Sequence, residues 1–405
     1  MNSSTTEPDH PLPKIAYLGE VPVRNTSAGP VLLYRMLESY PSDRLVLLES
    51  DHVEPNPDFD FHQAPRERFH LIPRRWLNSR FSDWVSAWVY LQTKRCGRRL
   101  AARLRHHKVE AVLTVTHGYG PLVAEAAANT VGLPLHLLAH DEWGITLSLP
   151  SWLQGRADTA FGKMYRSAAT RMPISPSMER HYAESYGAKG DVVYPLRSRE
   201  AQRLSAPPSR KPQPGKFIFA YAGSAHSVGQ RQTLIDFAHA TASSGVTLRI
   251  YQSWDLQMLR REGLRTDNVE IVPFRPSAQL HRDLIETVDA MYLPMSFTSE
   301  DRRNVEICFP SKLADYTVAG LPILVRAPEY GSATEWARNY PEAAILVTSN
   351  EPDPLRTAVT KIVNDETVRN TLAWGALKVG YQLFGYDSVS RIFQNQLRRG
   401  TPGYA

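Results

Sequence analysis

The 405-residue sequence contains few cysteines and no long apolar run, and each absence excludes a class of protein. Its two cysteines, Cys96 and Cys308, are far apart and lack metal-ligand spacing, so neither a disulfide framework nor a cysteine-ligated zinc site is expected. No window reaches about 18 uninterrupted apolar residues, which argues against a membrane-spanning helix. Residues 1–10 are polar and lack the apolar core of a secretion signal, so a cytoplasmic location is expected.

The composition is that of an ordinary globular protein, with 42% apolar and 22% charged residues. These values exclude a collagenous or largely disordered chain. At about 150 residues per domain, the length favours two domains. No short-period repeat and no long low-complexity tract interrupts the sequence.

The positive charge is concentrated in residues 66–108, which contain twelve lysines and arginines but only two acidic residues. The whole chain has a net charge of +6. Tryptophan and other aromatic residues alternate with these arginines. One interpretation is a helix with a solvated charged face and its aromatic residues in the core. A second is a patch that contacts a membrane peripherally, since arginine and tryptophan favour anionic head groups. Nucleic-acid binding is disfavoured because no such motif accompanies the stretch.

Short runs rich in valine, isoleucine and leucine alternate with segments of helix length. Such runs are typical of parallel strands buried on both faces, and the alternation indicates βαβ units in a doubly wound sheet. In the first half, the predicted strands are 14–18, 45–48, 110–116, 135–139, 171–175 and 191–194. After a break, the same pattern predicts strands at 217–222, 247–251, 269–272, 290–293, 323–325 and 344–347.

The break at residues 197–215 is rich in proline, serine and charge, which is typical of a linker. The sequence therefore predicts an α/β protein with two Rossmann-like domains that face each other across a cleft. Ligands of such sheets bind at the carboxyl ends of the strands. The predicted organisation is a flexible N-terminus at 1–13, a first domain at 14–196, a second domain at 216–366 and C-terminal helices at 367–405 that pack back on the first domain.

The most informative segment is 309–325, where a helix followed by a strand is expected. Pro310 suits a first helical position, which places Ser311 and Lys312 at a helix N-terminus that favours a phosphate. Asp315 could accept two hydrogen bonds from a ribose diol. The alternative is an ordinary helix start at which serine and aspartate satisfy backbone groups.

Two further glycine-containing loops follow predicted strands. Gly223 and Ser224 open the second half, where a glycine lets the backbone approach a phosphate closely. Arg231 is the nearest cation, although a simple strand-to-helix turn with solvated His226 and Arg231 explains the segment equally well. Gly19 and Gly29 lie in the first loop, whose spacing departs from the dinucleotide fingerprint.

In the first half, His117 follows a predicted strand, and His140 and Asp141 follow the next one. Catalytic groups favour such strand ends, although a lone histidine is often structural. A histidine next to an aspartate could also ligate a metal. No third ligand stands at a suitable spacing, so no metal is expected.

Residues 310–322 resemble the donor motif of GT-B glycosyltransferases, in particular the family 4 pattern P-S-K-L-x-E-Y-x-A-x-G-x-P-V. The resemblance implies that Ser311 and Lys312 meet the donor diphosphate and that Asp315, in place of glutamate, holds the ribose. Ile307 occupies the position of the usual sugar-binding glutamate. By the same resemblance, the other residues expected to contact the donor are Gly223, Ser224, Asn304, Glu306 and Pro310. The expected catalytic residues are His117, Lys312 and Arg231. Contacts on the acceptor side are expected at Gly19, Gly29, His140 and Asp141.

The resemblance implies a glycosyltransferase that moves a sugar from a UDP- or GDP-linked donor to an acceptor hydroxyl with retention of configuration. No cofactor beyond this co-substrate, no metal and no nucleic acid is expected. The acceptor would be a glycan, a lipid-linked glycan or a small molecule. One alternative is a sugar-nucleotide epimerase, although no clear carboxylate pair is present. The other is a non-catalytic binding protein, which fits the absence of the family's basic pair after Gly223.

Overall fold

A computed structural model describes the chain over residues 11–25, 28–51, 61, 63–71, 82–213, 215–225, 227–273 and 275–404. The chain divides into two compact units. The first comprises residues 1–24, 36–193 and 390–405, and the second comprises 25–35 and 194–389. Residues 1–10 of the segment predicted to be flexible lie outside the described residues.

The first unit contains a parallel sheet. Its strands in the described residues are β1 (Ile15–Gly19), β2 (Leu45–Ser50), β3 (Arg66–Phe69), β4 (Ala111–Val115), β5 (Leu135–Ala139) and β6 (Thr170–Pro173). They lie in the order β3-β2-β1-β4-β5-β6. Every residue of β1, β2, β4 and β5 is buried, as expected for parallel strands covered on both faces. The strand order reverses between β1 and β4, which is where such sheets bind ligands.

Helices connect these strands, and their ends follow from local sequence. They are α1 (Ala28–Leu37), α2 (Ser82–His106), α3 (Gly120–Val131), α4 (Ser151–Ser167) and α5 (Pro176–Tyr186). In α5, the Ser175 hydroxyl accepts a hydrogen bond from the Met178 backbone N–H, with Pro176 in the first helical position. Gly132 ends α3 in the left-handed conformation that glycine tolerates.

The second unit repeats the architecture. Its strands are β7 (Phe217–Ala222), β8 (Val246–Tyr251), β9 (Val269–Val272), β10 (Ala290–Pro294), β11 (Ile323–Arg326) and β12 (Ala344–Val347). They form a parallel sheet in the order β12-β11-β10-β7-β8-β9, so the order reverses between β7 and β10. Its helices are α6 (Val228–Thr241), α7 (Leu256–Arg261), α8 (Ser277–Thr287), α9 (Arg302–Ile307), α10 (Lys312–Tyr316), α11 (Ser332–Asn339), α12 (Pro352–Asn364) and α13 (Glu366–Phe384). The last helix, α14 (Tyr386–Arg399), belongs to the first unit from residue 390 onward.

Each sheet has its own aromatic core. In the first unit, Trp143 stacks on Phe161 with ring centroids 4.4 Å apart. In the second, Phe237 packs on Tyr292 at the same separation. All four side chains are buried, and each contributes about 1.5–3 kcal/mol to folding. The two parallel sheets, each flanked by helices, confirm the prediction of two Rossmann-like domains.

Three local predictions differ from the structure. Residues 191–194 form no strand, although Asp191 and Val193 donate backbone hydrogen bonds to the chain at β6. Strand β3 was not predicted because its sequence, RERF, has no apolar run. Helix α10 begins at Lys312, so Pro310 is not its first residue.

The segments between and after the two sheets are grouped by their contacts. Residues 197–215, predicted as a linker, cluster with the second unit. Residues 367–389 also cluster with the second unit, whereas 390–405 belong to the first. Among the described helices, none combines the length and hydropathy required to cross a bilayer.

Candidate functional site

The second unit has a glycine at the point where its strand order reverses. Gly223 follows β7 with φ of 141°, a conformation that residues with a Cβ rarely adopt. A Cβ built at Gly223 would lie 2.1 Å from Cε of Lys312. The Lys312 side chain therefore packs directly on the Gly223 backbone, and a residue with a Cβ there would have to displace it.

Lys312 is held over this loop by hydrogen bonds to neutral oxygens. Its Nζ donates to the Tyr221 hydroxyl at 2.9 Å and to the Ser224 carbonyl at 3.4 Å. Tyr221 is buried and donates its own proton to the same carbonyl at 2.8 Å. In the described part of the chain no carboxylate forms an ion pair with Lys312, and burial lowers the pKa of its ammonium to about 8. An under-compensated cation of this kind favours an anionic ligand.

Replacing Gly223 with alanine should displace Lys312, because the new methyl group would occupy the space of its side chain. With UDP as the probe, because the family resemblance implies a UDP- or GDP-linked donor, we expect Gly223→Ala to bind at least tenfold more weakly than the wild type in isothermal titration calorimetry. Gly263 also has a positive φ, of 116°, but a Cβ there meets nothing within 4 Å. Gly263→Ala therefore controls for backbone strain alone, and equal losses in both variants would contradict the steric argument.

Helix α10 is tied to the end of β7 by its last residue, Tyr316, whose hydroxyl accepts from the Ala222 backbone N–H at 2.9 Å. Backbone bonds from Leu313 to Pro310 and from Ala314 to Ser311 close the first turn. The Ser311 side chain makes no capping hydrogen bond and is half-buried. The alternative in which Ser311 caps the helix is therefore not what the structure shows.

Asp315, predicted to hold a ribose, already has two cationic or polar partners within its unit. Arg35 contacts its two oxygens at 2.9 and 3.3 Å, and Nε2 of His281 lies 2.9 Å from Oδ1. Burial would raise the pKa of this carboxyl, but the charges of Arg35 and His281 hold it well below its usual range. Arg35 also donates to the Ser277 hydroxyl and the Leu196 carbonyl. Asp315 is thus an ionised, rigidly held acceptor.

The other predicted donor contacts have different surroundings. Arg231 forms a close ion pair with Glu262, at 2.6 Å, and also donates to the Ala225 carbonyl in the loop after β7, at 3.1 Å. Asn304 and Glu306 are exposed on the short helix α9, with Arg302 4.0 Å from Glu306. Ser224 lies beside Lys312 through its carbonyl. His226 lies outside the described residues.

In the first unit, three predicted residues converge at the carboxyl ends of β4 and β5. The Asp141 carboxylate lies 3.3 Å from Nδ1 of His117 and 3.0 Å from Nε2 of His140. The two imidazole rings stack with centroids 6.1 Å apart. Burial would lower the pKa of His117, but Asp141 and Glu20 raise it above its ordinary value. Burial would raise the pKa of Asp141, yet the two histidines hold it well below its usual range.

Glu20 is a further buried carboxylate beside this cluster. It follows β1, and its carboxylate accepts the Tyr119 backbone N–H that opens α3. A Cβ at Gly118, where φ is 58°, would lie 2.7 Å from the Glu20 carboxylate. Burial raises the pKa of Glu20 to about 7. Gly19 ends β1, whereas Gly29 lies in the first turn of α1 and clusters with the second unit.

His117, His140 and Asp141 also satisfy a simple distance test for cation binding, since one ligand atom of each lies within 4.8 Å of the others. Only the His140–Asp141 pair was visible from sequence spacing, because the fold brings His117 to it. Hydrogen bonds from both rings to Asp141 account for the same geometry without an ion. The absence of a metal requirement stays a prediction.

Several residues of these sites were not identified from the sequence. Arg35 is 280 positions from Asp315, and no motif links them. Tyr221 lies in an apolar strand, where the sequence pattern is that of a core residue. Glu20 stands next to Gly19, and a carboxylate that follows a strand is the sequence signal that identifies it.

Solved structures resemble this chain over nearly its full length. HepE from Anabaena, in complex with UDP and glucose, is 15% identical with a TM-score of 0.66, covering 95% of this chain and 99% of HepE. Sucrose-phosphate synthase from Thermosynechococcus elongatus is 14% identical with a TM-score of 0.68, and the coverages are 95% and 98%. An α,α-trehalose-phosphate synthase from Burkholderia vietnamiensis is 11% identical with a TM-score of 0.61, and the coverages are 95% and 99%.

These similarities define the fold as that of the GT-B glycosyltransferases. No protein-family model and no curated protein matches the sequence. At 11–15% identity the likeness concerns the fold alone.

Proposed function

We propose that this chain is a glycosyltransferase that transfers a sugar from a nucleotide-sugar, with the nucleotide diphosphate seated in the second unit. The observation that carries the proposal is Lys312, whose Nζ lies beside the Gly223 loop where the strand order reverses. Breaking the bond between the sugar and the diphosphate places negative charge on the leaving oxygen. A fixed, partly desolvated cation stabilises that charge more than it stabilises the intact donor.

The nucleotide in this proposal is UDP. The support is that HepE, which shares the fold, is described in complexes with UDP and with UDP-glucose. Asp315 would accept hydrogen bonds from the ribose through the lone pairs that Arg35 and His281 leave open. Because Arg231 is paired with Glu262, we give the electrostatic role in this site to Lys312.

The stereochemical proposal is retention, as the family 4 resemblance of residues 310–322 implies. In such a reaction the acceptor hydroxyl attacks the sugar from the face that the diphosphate leaves. The acceptor oxygen bonds to the sugar carbon, and its proton passes to the departing phosphate oxygen. No protein base is required, so positioning and electrostatics dominate. Lys312 supplies a cation for the leaving group, which is why we propose that no metal is needed.

The cluster of His117, His140 and Asp141 would contact the sugar or the acceptor. Asp141 fixes the orientation of the His117 ring and favours its protonated form, which donates hydrogen bonds from both nitrogens. A protonated imidazole can hold a sugar hydroxyl in place while charge develops. A cytoplasmic location stays a prediction.

The alternative function is a nucleotide-binding protein without transfer activity. The specific observation in its favour is the Arg231–Glu262 ion pair, which neutralises the second basic side chain beside the Gly223 loop, whereas the family resemblance implies two cations there. Such a protein would bind UDP and release none from UDP-sugars.

Two assays test the proposal. Isothermal titration calorimetry should show UDP affinity falling about twofold between pH 7 and 8 and by up to about tenfold per pH unit above that, because Lys312 loses its proton near pH 8. Release of UDP from a panel of UDP-sugars with sugar and lipid acceptors then separates the two functions. Binding without release would favour the alternative, and absence of UDP and GDP binding would refute both.

A further inference from the structure

The basic stretch of the first unit borders a cavity of about 610 Å³ that the proposed transfer reaction does not use. We call it the α2 cavity. Its walls come from one face of α2 and from the carboxyl end of the edge strand β3. Its volume is in the range of cavities that bind single small molecules, about 300–1,000 Å³.

The charges in this cavity are strongly unbalanced. Four arginines line it, and Asp51 is its one acidic lining residue among the described residues. Asp51 is already bonded to His70, with Oδ2 2.8 Å from Nδ1. Arg103 contacts Glu67 and the Arg68 carbonyl.

Arg95 and Arg99 carry the excess positive charge. Both are exposed on α2, one turn apart, and both line the cavity. Within the described ranges, no hydrogen bond or ion pair engages either guanidinium. Two guanidinium groups on one helix face can bind a phosphate or diphosphate through several charge-assisted hydrogen bonds.

Apolar side chains also line the cavity. Phe69 and Leu71 are buried lining residues, and Trp88 lines it with half of its surface exposed. Two further apolar side chains, Trp84 and Leu91, continue along the same face of α2 and are 71% and 65% exposed. Exposed apolar side chains in a row mark a binding surface for an apolar group.

We propose that the α2 cavity binds a phosphorylated amphiphile, with its phosphate on Arg95 and Arg99 and its apolar chain along Trp88. This site is separate from the nucleotide site of the second unit and does not rest on the proposed transfer activity. A concave site of this volume favours one molecule of this kind over a broad contact with a charged surface. The chemistry is that of a lipid phosphate, either as a soluble monomer or in a bilayer.

The test uses the full chain and four probes in calorimetric titrations: farnesyl diphosphate, inorganic pyrophosphate, farnesol and UDP. We expect farnesyl diphosphate to bind at least tenfold more tightly than pyrophosphate, and farnesol to bind weakly or not at all. Arg95→Ala with Arg99→Ala should weaken farnesyl diphosphate binding at least tenfold. Trp88→Ala should weaken farnesyl diphosphate but leave pyrophosphate within twofold.

Arg98 provides a matched control on the same helix. It is exposed and carries the same charge, but it does not line the cavity. Arg98→Ala should change farnesyl diphosphate affinity less than twofold. An equal loss in Arg98→Ala would show diffuse attraction and overturn the proposal, as would unchanged affinity in the double variant or competition by UDP. All variants are first compared with the wild type by thermal melting.

Sedimentation with phosphatidylcholine vesicles, with and without phosphatidic acid, separates the two sources of the ligand. Binding that requires phosphatidic acid and is lost in the double variant would support the site with a bilayer lipid as ligand. Binding of monomeric farnesyl diphosphate with no vesicle binding would support it with a soluble ligand. UDP affinity should stay within twofold of wild type in the double variant, so failure at one site is distinguishable from failure at the other.

Discussion

Lys312→Met is expected to weaken UDP binding about 100-fold, which corresponds to about 2.7 kcal/mol. The substitution keeps the aliphatic stem that packs on Gly223 and removes the charge that would face the diphosphate. The measurement is calorimetric titration at pH 7. Lys361 is exposed on α12, so Lys361→Met is a charge-matched control that should bind UDP like the wild type.

The same variant should raise the thermal stability of the ligand-free protein at pH 7. The pKa of folded Lys312, about 8, is below its ordinary value of 10.5, so folding disfavours the charged form. This destabilisation is fully present below pH 8 and disappears as the pH rises to 10.5. The gain in melting temperature should therefore shrink over that interval. Weakened UDP binding together with lowered stability would instead indicate a damaged fold.

His117→Ala is expected to lower kcat for sugar transfer about 100-fold, a loss typical of a positioned polar group at a reacting centre. UDP affinity should stay within twofold, because the nucleotide site that we propose is built from the second unit. Steady-state kinetics and calorimetry together give this separation. His106 is exposed at the end of α2, so His106→Gln is a control that should leave both quantities unchanged.

Asp141→Asn tests whether Asp141 acts through His117. Loss of the carboxylate should shift the His117 titration to lower pH, followed by NMR of the imidazole protons, because Asp141 raises the His117 pKa in the wild type. We expect kcat at pH 7 to fall about tenfold and to recover partly at lower pH, where His117 is again protonated. A fall in kcat with an unchanged His117 titration would contradict a positioning role.

The sheets could be predicted from sequence because their strands are buried on both faces and so form continuous apolar runs. Leu135–Ala139 and Phe217–Ala222 have the predicted bounds. The edge strand Arg66–Phe69 could not be found this way, since backbone pairing with β2 rather than apolar burial defines it. The opposite error occurred at 191–194, where an apolar run lies beside β6 without becoming a strand.

In the candidate sites, residues in local motifs could be predicted from the sequence, whereas their long-range partners could not. Gly223 and Lys312 are predictable because each lies in a local pattern next to a predicted strand, and the fold brings them into contact. Long-range partners left no such pattern. The pairing of Arg35 with Asp315 spans 280 positions, and that of Arg231 with Glu262 depends on how α6 and α7 pack. A sequence motif identifies a charged side chain. Whether another side chain neutralises that charge depends on residues that only the fold brings close to it.

A crystal structure of the chain with UDP tests the central claim most directly. The account predicts that the β-phosphate lies within hydrogen-bonding distance of Nζ of Lys312 and against the backbone of Gly223 and Ser224. Lys312 would then turn from the Tyr221 hydroxyl towards the phosphate. A diphosphate bound elsewhere, with Nζ still on Tyr221, would contradict the account.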